Sequence, residues 1–478
     1  MKNLLPVILF AMAACNQPKI AIVTTTANEP WVISYIANEV SSTDNSDLVL
    51  QNSDTMQTIE GFGTCFNELG WTSLQRLSEE DRENIMRELF APEVGANFVI
   101  CRMPVAANDF ARKWYCYNET EGDFDMTSFS ISTDMETLVP FIKNAKKYNP
   151  NLKVWASPWS PPQWMKYNKH YAARSTWIDP SLKKGKDHNA IDNGLPKEKE
   201  GKEGTDMFIQ EPSYYEAYAL YFKKFIEAYR NEGINIFMVM PQNEFNSAQI
   251  FPSCTWTSKG LTEFVGKYLG PTMKKLEVEI MFGTMERGNE ALVDTILTDP
   301  EAKQYVSGVG FQWAGKKSIA GIYKRYPNLK LYQTEQECGD GNNDWKSCIY
   351  SWSLMKHYLT NGANAYMYWN TSLDKGGIST WGWRQNSLVS VDTTNNSYSY
   401  NPEYYLLKHV SHFVRPGAKR LNSTGAFKNL LAFKNPDGST VLVLRNELQT
   451  DKQIIVKLND KNISFPLKAD SFTTVKIQ

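Results

Sequence analysis

A chain of 478 residues exceeds one ordinary domain, and its 51 Lys and Arg against 52 Asp and Glu give a formal charge of −1. No long-range field for capturing a polyanion exists at that balance, which excludes nucleic acid as a partner. Five His residues, with no Cys-x-x-Cys or His-Glu-x-x-His pattern, give a metal no support. Aromatic residues make up 13% of the chain, including 14 Trp and 24 Tyr, more flat amphipathic surface than a core alone needs.

The first 14 residues run Met-Lys-Asn, an apolar stretch from Leu4 to Phe10, then Ala-Met-Ala-Ala before Cys15. This reads as a signal peptide over 1–14, too short to span a bilayer. Small residues directly before a Cys resemble a bacterial lipobox, with Met12 where Leu is usual. Cys15 is then expected to carry lipid, making the chain an exported cell-envelope lipoprotein that meets the membrane only through that anchor; plain secretion with cleavage near Ala14 is the alternative. Within 15–55, the runs 31–37 and 48–50 read as strands.

Eight short apolar runs follow, at 59–66, 98–104, 153–159, 236–244, 278–285, 306–313, 330–337 and 365–372. Each is near-continuous rather than alternating, the pattern of strands covered on both faces. Helix signals lie between them: Ser78 caps 79–90 with Asp81 three residues on, and Tyr218, Phe222, Phe225 and Tyr229 recur at helical spacing before Gly233. A last helix is expected from Asn401-Pro402 through Val414. Strand then helix, repeated eight times, predicts an α/β fold, a (β/α)8 TIM barrel over 56–415. One stretch breaks the rhythm, 166–212 after the third strand, where Lys183, Lys184, Lys186, Lys197, Lys199 and Lys202 mix with acids and Gly. Its middle reads as a solvated loop, and its near end, Trp164 and Tyr167, as a wall of the cleft. Beyond Pro416-Gly417 the runs 430–434, 440–446, 453–458 and 472–477 are strands without helices. They predict a smaller all-β sandwich domain over 416–478, which the N-terminal strands are expected to join. Among the six further Cys, Cys65 and Cys101 sit in apolar runs and read as small buried hydrophobes; disulfide pairing stays open.

Barrel enzymes place their chemistry where strands end, and two of the eight runs close on Glu: strand four at Gln242-Asn243-Glu244 and strand seven at Thr334-Glu335. Strands four and seven lie nearly across the barrel, so the two side chains can converge over its mouth. Two facing carboxyls are what glycoside hydrolysis needs, one to protonate the leaving oxygen and one to attack or to activate water. Glu337, two residues on, could enter the cleft by strand periodicity, but its place beyond the strand end favours a loop-stabilising role.

With these features, Glu60-Gly61-Phe62-Gly63, Arg102-Met103-Pro104, Asn108-Asp109-Phe110, the run from Ala156 to Lys166, and Tyr368-Trp369-Asn370, the chain resembles glycoside hydrolase family 30, whose members include glucosylceramidases, xylanases and β-1,6-glucanases. The resemblance implies retaining hydrolysis with Glu244 as acid/base and Glu335 as nucleophile, and no cofactor. Arg102 would hold the nucleophile ionised, and Asn243 would donate to a sugar hydroxyl beside the reacting carbon. Asp109, Trp159 and Trp369 would grip the sugar on the non-reducing side. At strand six many members carry His and Tyr where this chain has Gln312-Trp313-Ala314, which puts the tyrosine that would bond the nucleophile in doubt and leaves Gln312 and Trp313 as the substrate-facing pair there.

The segments 334–345 and 381–386 are similar to the β-1,6-glucanase branch. A Trp rim, Trp313, Trp345, Trp381 and Trp383, with near-neutral charge suits an uncharged oligo- or polysaccharide better than an acidic xylan. Glucosylceramide is the runner-up, and a glycan-binding lipoprotein without turnover is the rival from another class.

Overall fold

The structure is a computed structural model that describes residues 19–37, 46–177 and 191–477. The leader, Cys15, Lys183, Lys184 and Lys186 lie outside the described residues. Three strands open the described chain: β1 (Lys19–Thr25), β2 (Val32–Ala37) and β3 (Leu48–Thr58). Of these, β1 lies outside the strands read from sequence, and β3 runs well past the expected 48–50, because its outer half is polar and half-exposed while its backbone still pairs with a neighbour.

The barrel follows, with β4 (Gly61–Cys65), β5 (Ile100–Val105) and β6 (Lys153–Pro158). The insertion after β6 carries the two-residue pair β7 (Thr176–Trp177) and β8 (Ile191–Asp192). Then come β9 (Ile236–Val239), β10 (Glu279–Met285), β11 (Val306–Gln312), β12 (Lys330–Glu335) and β13 (Ala365–Asn370). The eight strands close in parallel in the order β10-β11-β12-β13-β4-β5-β6-β9, the (β/α)8 barrel expected from the runs.

Helices α1 (Glu68–Gln75), α2 (Glu79–Phe90), α3 (Leu138–Tyr148) and α4 (Pro212–Asn231) pack outside the first half of the barrel. Ser78 caps α2 by accepting from the Asp81 amide. Tyr218, Phe222, Phe225 and Tyr229 form the buried face of α4. The outer layer continues with α5 (Ser258–Phe264), α6 (Gly270–Leu276), α7 (Glu290–Thr298), α8 (Ile319–Arg325) and α9 (Trp345–Thr360). A small sheet of β14 (Ser372–Asp374), β15 (Val389–Asp392) and β16 (Ser397–Tyr400) follows β13. Last of the helices, α10 (Pro402–Ser411) stops three residues before Val414.

The C-terminal segment supplies β17 (Lys419–Thr424), β18 (Leu430–Lys434), β19 (Thr440–Asn446), β20 (Lys452–Leu458), β21 (Lys461–Leu467) and β22 (Ser471–Ile477). With β1–β3 they form one nine-stranded sheet, ordered β2-β1-β22-β19-β18-β17-β3-β20-β21. Ile20, Leu48, Leu442, Leu444, Ile454, Phe465 and Val475 fill its own core. Alternate residues on the same strands, Phe433, Val441, Val443 and Phe472, belong to the barrel's core instead. Two-residue periodicity thus gives one sheet two buried faces and welds the sandwich to the barrel. All six Cys among the described residues are buried and unpaired.

Candidate active site

The fourth strand read from sequence as 236–244 ends at Val239. Pro241 has no N–H to continue a ladder, and the chain beyond it is held piecemeal: the Asn243 amide donates to Pro158 O at 2.7 Å and the Glu244 amide to Thr284 Oγ1 at 2.9 Å. Glu244 takes a left-handed backbone, φ +46°, and so does Trp313, also φ +46°. Such conformations persist where the surroundings over-determine them and concentrate at functional sites.

Arg102, on β5, organises the centre. It is wholly buried, donating Nη1 to Glu335 Oε2 at 2.9 Å and Nη2 to Asn243 Oδ1 at 2.6 Å and to Ser157 Oγ at 2.8 Å. The rings of Trp159, Trp155 and Trp369 surround its guanidinium at 4.2, 5.1 and 5.5 Å. A fork of fixed donors boxed in by aromatic faces cannot rotate, and it sets the plane of the carboxylate it holds.

Glu335, the last residue of β12, accepts a second bond at Oε1 from Trp313 Nε1 at 3.0 Å. The indole thus supplies the donor that the absent tyrosine left in question. Gln312 bridges the two carboxyls: its Nε2 lies 3.0 Å from Glu244 Oε1 and 3.4 Å from Glu335 Oε2, so one amide nitrogen is within reach of both. Three donors, from Arg102, Thr284 and Gln312, converge on Asn243 Oδ1. Oε2 of Glu244 is buried and has no partner.

Burial raises the proton affinity of both carboxyls. At Glu335 the nearby Arg102, with Trp313 and Gln312, pulls against burial. Burial raises Glu244 most, and the charges of Glu286 and Glu335 add to it, so it lies well above the ordinary carboxylate range. A proton shared by the pair therefore resides on Glu244.

A cavity of about 540 Å³ opens over these groups, lined by Glu244, Glu335, Asp109, Trp159, Trp313, Glu286 and four others. Asp109 is in that lining; its Oδ1 is buried without a partner while its Oδ2 accepts from Trp369 Nε1 at 3.2 Å. Trp369 stacks behind Trp159, centroids 5.2 Å apart. Of the candidate substrate-binding residues, then, Asp109, Trp159 and Trp313 face the cavity, whereas Arg102, Asn243, Gln312 and Trp369 stand outside its lining and orient those that do.

Several expectations fail. Trp345 opens α9 at the sandwich junction, donating Nε1 to Asp470 at 2.9 Å and packing on Phe472, so it is no part of a rim. Trp381 packs against Trp114 at 4.8 Å and does not line the cavity. Trp383 does, in an edge contact with Phe251. Trp164 is buried between Phe124 and Tyr214 with Nε1 on Asn118 O at 3.0 Å, and exposed Tyr167 is not in the lining. Glu337 turns away to Lys316 and to Tyr350 Oη, the latter at 2.7 Å, holding the loop as anticipated.

Gln385 in the lining falls within the segment 381–386 singled out from sequence, whereas sequence reading missed Gln249, Phe251 and Glu286. Glu286 was findable: it follows the last residue of β10, one position past the run that was read.

The sequence matches the glycosyl hydrolase family 30 TIM-barrel domain over residues 59–184 and 196–414, and that family's beta sandwich domain over 417–475. A Caenorhabditis elegans protein that bears the name of a glucosylceramidase is 28% identical over 464 residues, 90% of this chain and 83% of that protein. An endo-1,6-beta-D-glucanase of Aspergillus fumigatus is 26% identical over 433 residues, 84% of this chain and 81% of that protein. A solved endo-beta1,6-glucanase structure superposes with a TM-score of 0.79 at 25% identity, covering 96% of this chain and 99% of that one.

Proposed function

Because this chain belongs to glycosyl hydrolase family 30 and is a glycoside hydrolase, we propose that it cleaves β-1,6-glucan by double displacement, with Glu335 as nucleophile and Glu244 as acid/base. In the first step Glu335 bonds to the anomeric carbon as the glycosidic C–O bond breaks, and Glu244 gives its proton to the leaving oxygen. In the second, Glu244 takes a proton from water, the water oxygen bonds to the anomeric carbon, and the ester to Glu335 breaks. The observation that carries these roles is the asymmetry of the pair. Glu335 is held by a guanidinium, an indole and an amide, whereas Glu244 has one amide and a free oxygen in the cavity wall.

An uncharged glucan is supported by likeness to the β-1,6-glucanases and by a cavity lining that, among the described residues, has aromatic rings and no Lys or Arg to pair a uronate. Glucosylceramide is the second reading, favoured by the identity to the glucosylceramidase-named relative.

The test compares initial rates on β-1,6-glucan, β-1,3-glucan, glucuronoxylan and glucosylceramide at equal enzyme. The expected result is a clear preference for β-1,6-glucan, release of the β-anomer first by proton NMR, loss of turnover in Glu335→Gln, and about a 100- to 10,000-fold lower rate in Glu244→Gln. Rapid cleavage of another substrate with β-1,6-glucan untouched overturns the specificity, and an α-anomer first overturns the mechanism.

A further inference from the structure

Glu286 is a third carboxyl in the cavity wall, and the double displacement gives it no task. It is 6% exposed. One oxygen pairs with Arg287, which also reaches Glu203 at 3.3 Å, and its backbone amide donates to Asn246 Oδ1 at 3.1 Å. These contacts fix the side chain. Its other oxygen, Oε2, is buried with no donor within hydrogen-bond distance, although the Ser247 hydroxyl is near enough to lower the carboxyl's proton affinity. A buried carboxylate oxygen at a cavity wall with no donor costs free energy that a bound hydroxyl recovers.

Barrel order says which part of a substrate meets it. Asp109, Trp159 and Trp369 follow or lie on the contiguous arc β13-β4-β5-β6, while Glu286 follows β10, beside β9 and the Glu244 that succeeds it. The leaving group departs on the side of the acid that protonates it. A residue next to Glu244, across the cavity from the cluster that grips the non-reducing sugar, therefore faces the leaving group. Phe251 and Trp383 line the same cavity, edge to face with centroids 5.6 Å apart, and offer a ring surface for it.

We propose that Glu286 determines leaving-group specificity, its unpaired Oε2 accepting a hydrogen bond from a hydroxyl of a sugar leaving group. This rests on the roles assigned to Glu244 and Glu335, and it makes a sugar the preferred aglycone over one that offers no hydroxyl there.

The experiment measures kcat and KM for a β-1,6-linked gluco-oligosaccharide and for phenyl β-glucoside in wild type, Glu286→Leu and Glu286→Gln. Thermal midpoints confirm that each variant folds. Both variants remove a charge beside Glu244 and should displace the basic limb to lower pH on both substrates. Compared at the pH optimum of each protein, Glu286→Leu is expected to lower kcat/KM on the oligosaccharide about 10- to 100-fold while leaving phenyl β-glucoside within about threefold, and Glu286→Gln, which keeps an acceptor oxygen, to recover most of the loss. Equal losses on both substrates at the pH optimum overturn the proposal by showing that Glu286 acts only through Glu244. An unchanged oligosaccharide rate overturns it as well. Turnover surviving in Glu335→Gln would instead sink the catalytic assignment on which it rests.

Discussion

The two carboxyls differ because their neighbours differ, and the pH dependence follows. Glycosyl transfer needs Glu335 ionised and Glu244 protonated. Burial and the charges of Glu286 and Glu335 push Glu244 well up, so the basic limb of kcat/KM should lie above the ordinary carboxylate range of about 4.3. The acid limb belongs to Glu335, which burial raises and Arg102, Trp313 and Gln312 hold partly down. Trp313→Phe keeps a ring but removes the donor at 3.0 Å from Oε1; it should move the acid limb to higher pH and lower the rate at neutral pH by about tenfold. A pH–rate profile checks this, and an unmoved acid limb means that the indole does not stabilise the anion. The strand-end rule made both Glu legible in the sequence. It could not show that Trp313 would stand in for a tyrosine, because that depends on the left-handed backbone at Trp313, nor that Trp345 would fall at the sandwich junction, because nothing in its spacing distinguishes a rim from an interface.

At the scale of elements, barrel strands covered on both faces were legible as apolar runs, and most of those missed were polar or alternating, with β1, Lys19–Thr25, the apolar exception. In β21, Ile463, Phe465 and Leu467 alternate with exposed or half-exposed residues and Pro466 interrupts the reading; β3 loses its apolar signal after Leu50 although its ladder continues. Strand four was overread because its apolar run continues through Met240 and Pro241 past the last ladder residue, Val239; beyond Pro241 the chain is polar and only the isolated bridge from Asn243 to Thr284 remains. The Glu-Gly-Phe-Gly motif, which the sequence offered only as a likeness, has a packing reason. A Cβ on Gly63 would stand 1.7 Å from the carbonyl oxygen of Ile100 on the neighbouring strand β5, a clash with backbone that no rotamer relieves. Gly63→Ala should therefore destabilise the barrel by at least about 3 kcal/mol, read as a lowered urea midpoint. A midpoint within about 0.5 kcal/mol of wild type would show that the β4–β5 pair can spread.

The whole molecule was legible as two layers of sequence, alternating strand and helix and then strands alone. How they join was not, since the joint is made of single side chains far apart in the chain. His409, buried on α10, is its centre: Nδ1 lies 2.8 Å from Thr474 Oγ1 on β22 and Nε2 2.8 Å from Thr25 Oγ1 on β1. Thr474 gives its own proton to His409 O at 2.9 Å, so Nδ1 must be the donor to Thr474, and Nε2 is left to accept from Thr25. The neutral ring is thus matched on both sides, and burial, with Lys408 adding to it, pushes the imidazole down to about 3 from its usual 6.5. An unfolded chain takes up a proton as pH falls below 6.5 and the folded chain does not until about 3, so the contribution is whole above 6.5 and declines between those values. The slope is about 1.4 kcal/mol per pH unit. Between pH 7 and 4.5 this one ring should cost roughly 2 to 3 kcal/mol of unfolding free energy. His409→Gln keeps one donor and one acceptor without titrating, so its urea unfolding free energy should fall less over the same interval by that amount, even though it starts about 1 kcal/mol lower at pH 7. Parallel slopes for the two proteins would mean that the ring takes its proton in place, and that the barrel and sandwich part in acid for another reason.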